Sequence, residues 1–379
     1  MTPHTDVVVI GCGMIGAAVA WRCAQRGLTV TAIDPDPTRG AWYAAAGMLA
    51  PITELHYTET SLLRLSLDSL SRYPSFAAEL SDATGIDTGF RECGTVFAAW
   101  DGADLAAVRD LHEFSVTLGL NSLLLSGAEL RKLEPGLASG IPGGVYTPDD
   151  HQVDPRRLHA ALVSAGQRAG VASIRDSAAV VLRGDSAAGV RLAGGDLISA
   201  TTTVIAAGAW SAVVGGVAPH VCPPVRPVKG ATLRLHLRSD TRVGHVLRGL
   251  VKGNPVYAVP RHDGELVIGA SSEEAGFDQT PRAGAIYELL RDAQALLPEL
   301  SEASFDQVTT RLRPGSPDNA PLIGEAGPGG LICATGHYRN GVLLAPLTAD
   351  AVAELVVSGS PPECIRDFAP TRFRPVVPA

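Results

Sequence analysis

The chain has 379 residues, 46% of them hydrophobic and 18% charged, with a formal net charge of −8 and a pI near 5.7. That composition is globular rather than disordered, and the length suits two closely packed domains rather than one small core. The acidic balance leaves no electrostatic footprint for nucleic acid or an anionic membrane, and no apolar run approaches the ~20 residues of a spanning helix.

Val7-Val8-Val9-Ile10 reads as a parallel strand buried on both faces. Gly11, Gly13 and Gly16 follow at once in G-x-G-x-x-G spacing. Gly11 allows the sharp turn out of the strand, Gly13 a close approach of backbone N–H groups to a pyrophosphate, and Gly16 tight packing of the next helix on the sheet. That helix is expected from Met14 to Arg26, with Gly27 as its stop and its positive end toward the phosphates. The strand over 28–33 delivers Asp34, 18 residues after Gly16, where a carboxylate can accept hydrogen bonds from an adenosine ribose. An acid there disfavours a 2′-phosphate, and so NADP, without separating NAD from FAD. The apolar start lacks a basic leader and runs straight into the phosphate loop, which argues against a signal peptide.

The small residues at 44–47 either let a backbone segment lie against a flat ring or begin an alanine-rich helix. A single amphipathic helix is expected over 61–80, a strand over 95–100, and helices over 103–119 and 127–133. Residues 143–155 show no regular period and read as an irregular return crossing. Asp149, Asp150, His151 and Asp154 are explained by turn chemistry and an N-cap at Asp154 rather than by a metal, and the helix over 156–169 follows Pro155. Strands are expected near 180–182 and 189–192. Residues 203–211 form a buried strand beside the first one, ending in a glycine turn. A strand over 231–237, a hairpin of 255–261 and 265–270 across His262-Asp263-Gly264, and a helix over 283–297 come next. Residues 311–318 read as a turn carrying two arginines. The strand over 330–335 leads into a final helix reaching about Val357.

Six cysteines, at 12, 23, 93, 222, 333 and 364, make no C-x-x-C pair. Neither zinc nor a redox dithiol is expected, and they read as small buried hydrophobes of a reducing, cytoplasmic compartment.

The ordered set Ala44-Ala45-Ala46-Gly47-Met48-Leu49, Ala207-Gly208-Ala209-Trp210-Ser211, Pro227-Val228-Lys229-Gly230, Leu312-Arg313-Pro314-Gly315 and Gly336-His337-Tyr338-Arg339-Asn340-Gly341 resembles the glycine oxidase branch of the D-amino acid oxidase family of flavoproteins over nearly the full length. The fold class expected is α/β: a Rossmann-like FAD-binding domain (1–51, 146–217 and 318–379) interleaved with an α+β substrate domain (52–145 and 218–317) on a mixed, largely antiparallel sheet. The resemblance implies FAD bound without a covalent link. No cysteine stands ahead of Asp318-Asn319-Ala320-Pro321, where covalent relatives attach it. Besides Gly11, Gly13 and Gly16, it implies Met14 and Ile15 at the pyrophosphate, Asp34 at the ribose, and Ala46, Gly47 and Met48 against the isoalloxazine. Val180 is implied at the adenine, with Gly208 and Trp210 beside the cofactor. His337, Tyr338, Arg339, Asn340, Gly341, Val342 and Leu343 would wrap the flavin from the other side. Ala41, Trp42 and Tyr43 stand where relatives often carry hydroxyl residues, so phosphate contacts there fall to backbone N–H groups. Homotetramers are expected by analogy with related enzymes.

For an amino acid substrate, the carboxylate needs a fixed bidentate partner, which guanidinium geometry supplies. Arg313 matches the family's substrate arginine; Tyr257 would add a phenol hydrogen bond, and Arg339 would lie near both flavin and substrate. No His/Asp pair suggests a general base, and binding of the neutral amine with hydride transfer needs none. The reaction implied is oxidation of glycine, sarcosine or small D-amino acids to the imino acid, with O2 reduced to H2O2 and the imine hydrolysed or passed to the thiazole of thiamine. The alternatives are another FAD-dependent D-amino acid or sarcosine oxidase or dehydrogenase, and a flavin-binding module without turnover.

Overall fold

The computed structural model describes residues 4–238 and 243–373. Its framework is two eight-stranded sheets. The first has the order Leu322–Glu325, Leu331–Thr335, Leu197–Ile205, His4–Ile10, Val30–Ile33, Ala172–Ile174. His4–Ile10 lies parallel between Val30–Ile33 and Leu197–Ile205, with Ile10 level with Ile33 and Ile205. An antiparallel arm, Ala178–Arg183 and Ser186–Leu192, extends from Leu197–Ile205.

Both faces of the central strands are covered, which is why they read as unbroken apolar runs. On one face Val7 and Val9 pack with helices Met14–Gln25, Pro155–Arg168 and Ala345–Ser358. On the other, Val8 and Ile10 join Val190, Ile198, Ile205 and Leu331. Asp154 caps Pro155–Arg168 by accepting the Arg156 and Arg157 N–H groups, as its place before Pro155 suggests.

The second sheet has the order Ser304–Gly315, Arg226–His236, Glu265–Gly269, Asn254–Pro260, Val246–Val251, Thr95–Ala99, Gly143–Thr147, Leu123–Ser126. Every pairing is antiparallel except Val246–Val251 with Thr95–Ala99. This is the mixed, largely antiparallel sheet expected. Side chains alternate between its faces. Leu233, Ala258, Ile268 and Leu247 belong to a core with the helix Ala283–Leu296. Across the other face the register sets Arg248, Tyr257, Gly269, Thr232 and Thr309 in one row, with Arg313 further along its strand.

Several expectations are corrected. The helix expected over 61–80 is two, Thr60–Ser71 and Tyr73–Thr84. Pro74 sits in the first turn of the second helix, where its missing N–H costs nothing but where it cannot continue the preceding one. Residues 311–315 are not a turn but the end of a long strand, its polar side chains turned inward to a cavity. Gly143–Thr147 is likewise a strand, not part of an irregular crossing, and Leu123–Ser126, Ala172–Ile174, Val246–Val251 and Leu322–Glu325 were not anticipated. Among the described residues no helix is long and apolar enough to cross a membrane.

Candidate active site

The G-x-G-x-x-G segment is held by its neighbours on both sides. Gly11 has φ +98°, and a Cβ there would lie 2.5 Å from the Ala206 carbonyl oxygen. A Cβ on Gly16 would lie 1.9 Å from the Gly11 carbonyl oxygen, so helix and loop touch backbone to backbone. At Gly13 the nearest atom would be on Trp42, 3.6 Å away, which leaves the loop surface open. The Cys12 N–H donates to Asp34 Oδ2 at 2.7 Å, and the Asp36 N–H to Oδ1 at 2.9 Å. The Cys12 carbonyl accepts from His159 Nε2 at 2.8 Å. Burial pushes the His159 pKa down to about 4, so the ring is neutral with its proton on Nε2. That ring stacks on Trp42 at 3.7 Å and 11°. The helix Met14–Gln25 has no side-chain cap, so its first N–H groups are available to an anion.

A cavity of about 640 Å³ opens beside this loop. Asp34, Asp36, Ala178 and Arg191 line one end, Tyr257, Arg313, Arg339 and Glu54 the other. Between them stand Gly11, Gly13, Met14, Ile15, Ala41, Trp42, Ala46, Gly47, Met48, Gly208 and Trp210, with His337, Tyr338, Gly341 and Val342. Gly16, Val180, Asn340 and Leu343 do not line it. Gly16 is packed on Gly11, and the Val180 N–H bonds the Gly215 carbonyl at 2.9 Å. Asn340 N–H bonds the His337 carbonyl while its own carbonyl takes the Leu344 N–H. Leu343 is buried, its carbonyl bonded by the Ser69 hydroxyl. All four support the wall from behind.

The segment 44–47 does not begin a helix; it runs as an irregular stretch along the cavity wall. Gly47 has φ +78°, and a Cβ would lie 2.0 Å from the Val153 carbonyl oxygen. Arg261 Nη2 donates to the Ala46 carbonyl, and the Thr232 hydroxyl to the Ala44 carbonyl. Trp42 Nε1 is committed to the Pro37 carbonyl at 3.0 Å, and Tyr43 faces the guanidiniums of Arg156 and Arg311.

At the far end, Arg313 Nη1 donates to the Ser271 carbonyl at 3.0 Å. Its guanidinium lies over Gly230, where a Cβ would come within 2.3 Å of Nη1. Burial pushes the Tyr257 pKa up to about 12, so the phenol keeps its proton and can donate. Arg339 Nη2 donates to His56 Nε2 at 2.8 Å. Two residues here were missed: Arg248, directly across from Tyr257, and Glu54. The signal for Arg248 was a charge inside the apolar run Val246-Leu247-Arg248-Gly249-Leu250-Val251, a strand itself overlooked. His337 is buried against the Thr348 hydroxyl at 3.0 Å, its pKa pushed down to about 3 by burial.

Residues 6–355 match the family described as FAD dependent oxidoreductase. The chain belongs to this family. It is 34% identical over 359 residues to a glycine oxidase of Geobacillus kaustophilus, covering 94% of each chain. The crystal structure of glycine oxidase from Geobacillus kaustophilus superposes with a TM-score of 0.89 at 32% identity, covering 98% of this chain and 99% of that one. A bifunctional protein ThiO/ThiG of Synechocystis is 35% identical over 379 residues. The chain spans 55% of that protein, about half its length.

The cofactor of the family, FAD, fits the residues present. The cavity includes the phosphate loop in its lining, the uncapped backbone amides at the helix start can receive an anion, and Asp34 lines the cavity where a carboxylate suits a ribose. Cys333 is buried in the core on the first sheet.

Proposed function

We propose that this member of the family oxidises glycine, and secondarily sarcosine or small D-amino acids, to the imino acid with reduction of O2 to H2O2. The observation that carries the reading is that the Arg313 guanidinium and the Tyr257 phenol stand close together in the lining of a cavity shared with a dinucleotide loop. A guanidinium and a neutral phenol together offer three donors to a carboxylate, the group common to these substrates. The relatives named glycine oxidase support the choice of amine.

In this reading Met14 and Ile15 meet the pyrophosphate, Asp34 the ribose, and residues 46–48 on one side and His337, Tyr338, Arg339, Gly341 and Val342 on the other the isoalloxazine. FAD, when bound, accepts a hydride and returns two electrons to O2. Arg313 and Tyr257 fix the substrate carboxylate, so the adjacent α-carbon is held in one place rather than sampling the cavity. The buried phenol donates without ionising. The substrate's ammonium group first gives its proton to water; as the C–H bond then breaks with its electron pair, the freed nitrogen lone pair forms the C=N bond, and no protein base is required. The imine is hydrolysed to glyoxylate and ammonia or supplied to thiazole synthesis for thiamine. The division into a cofactor domain (1–51, 146–217, 318–379) and a substrate domain (52–145, 218–317) belongs to the same proposal. The test is aerobic incubation with glycine while measuring peroxide and glyoxylate. Equal amounts of both support the reading; neither product from FAD-loaded protein refutes it.

A further inference from the structure

Glu54 enters the cavity on a segment fixed from three directions. The buried Asp150 carboxylate accepts the N–H groups of Ile52 and Thr53, at 3.1 and 2.7 Å, and the Thr53 hydroxyl at 2.7 Å. Arg248 donates to the Thr53 carbonyl, and the Glu54 N–H bonds the Ala50 carbonyl at 3.0 Å. The side chain so placed is only 15% exposed and lines the cavity beside Tyr257. Its nearest cation, Arg248 Nη2, is 3.7 Å away, a charge contact beyond hydrogen-bond reach. Among the described residues no donor bonds the Glu54 carboxylate.

A carboxylate accepts up to about four hydrogen bonds, and one this sheltered needs a donor to offset lost hydration. The groups acting electrostatically on Tyr257 are Arg313, Glu54, Arg248 and Arg339, so Glu54 is the one acid in a ring of cations. The cavity's other acids, Asp34, Asp36 and Asp176, stand at the opposite end. The three guanidiniums have donors only. A substrate anchored by its carboxylate on Arg313 and Tyr257 therefore meets one charged acceptor.

We propose that Glu54 receives the ammonium group of the substrate and selects amino acids over 2-hydroxy acids of the same size. This rests on the proposed function and names a specificity-determining residue within it. The charged and titratable groups of this cluster are Arg248, 3.7 Å from the carboxylate, with Tyr257, Arg313, Arg339 and Asp150 beside Arg248 or Tyr257, and His56 bonded to Arg339.

The test uses FAD-loaded wild type and E54Q, with α-aminoisobutyrate and 2-hydroxyisobutyrate as ligands. Neither is a substrate for amine oxidation, the first because it lacks an α-hydrogen. Binding is read from perturbation of the flavin absorption spectrum. E54Q is expected to weaken the amine ligand by about tenfold or more and leave the hydroxyl ligand within about twofold. The amine deficit should narrow as pH rises through the ligand's own ammonium pKa. E54D, which keeps the charge, should retain the preference for the amine. Equal changes for both ligands, a deficit independent of pH, or a preference lost equally in E54D and E54Q would overturn the assignment. If wild type oxidises glycine while E54Q binds both ligands as wild type does, Glu54 alone is wrong. If wild type neither oxidises glycine nor binds the amine ligand, the proposed function falls with it.

Discussion

The Arg313 guanidinium occupies the space that any side chain at Gly230 would need, since a Cβ there would lie 2.3–2.4 Å from three of its atoms. The two residues sit on neighbouring strands of the antiparallel pair Arg226–His236 and Ser304–Gly315. An alanine at 230 meets the end of a flexible side chain, not backbone, so the arginine would shift rather than the sheet. G230A should therefore fold with a Tm close to wild type and keep its FAD. Its KM for glycine should rise by about tenfold or more, because carboxylate geometry is lost. Steady-state kinetics beside a melting curve separate these effects.

Replacing Arg313 itself should act more strongly. R313K keeps a charge but loses the planar fork, and R313A loses both. A KM increase of about tenfold for R313K and about a hundredfold or more for R313A is expected. FAD content should be unchanged, because the phosphate loop lies at the other end of the cavity. Unchanged glycine kinetics would remove Arg313 from the site.

G16A presents the opposite case. Its Cβ would meet the Gly11 carbonyl oxygen at 1.9 Å, a backbone atom that no rotamer change can move aside. Helix and phosphate loop must separate, at a cost of about 1–3 kcal/mol or more. Loss of both FAD affinity and thermal stability is expected, measured by flavin content and calorimetry.

Acid should destabilise the fold through its buried histidines. His159 and His337 have pKa values held down to about 4 and about 3 against an ordinary 6.5. In that window the unfolded chain binds protons that the folded chain refuses, so stability falls as pH drops below about 6.5. For His159 the full effect is on the order of 3 kcal/mol by pH 4. In H159Q this acid-dependent part should disappear. The Tm advantage of wild type over H159Q should therefore shrink between pH 6.5 and 4; an advantage constant with pH would contradict the assignment.

The cofactor end was legible because its constraints are local. Gly11, Gly13, Gly16 and Asp34 are fixed by steric and hydrogen-bonding demands within one strand–turn–helix–strand unit, and the apolar run of residues 7–10 announces a strand covered on both faces. The substrate end was less so. Strand Ser304–Gly315 turns Arg311 and Arg313 into a cavity, so the usual equation of polar with solvent-facing fails, and its end reads as a turn. Arg248 and Glu54 come within 3.7 Å of each other from positions 194 residues apart in sequence, which no local pattern encodes. Asn340 and Val180 stand apart: the resemblance implies cofactor contact for both, while the Asn340 backbone groups and the Val180 N–H bond within the wall.

The central claim is that this site takes glycine by its carboxylate and removes a hydride from it. Anaerobic addition of glycine to the FAD-loaded protein, followed by absorbance, tests this without relying on oxygen or coupled assays. The prediction is bleaching of the flavin's visible band in wild type and its restoration on admitting air, with bleaching at far higher glycine concentration in R313A. A band that stays unchanged at saturating glycine would contradict it.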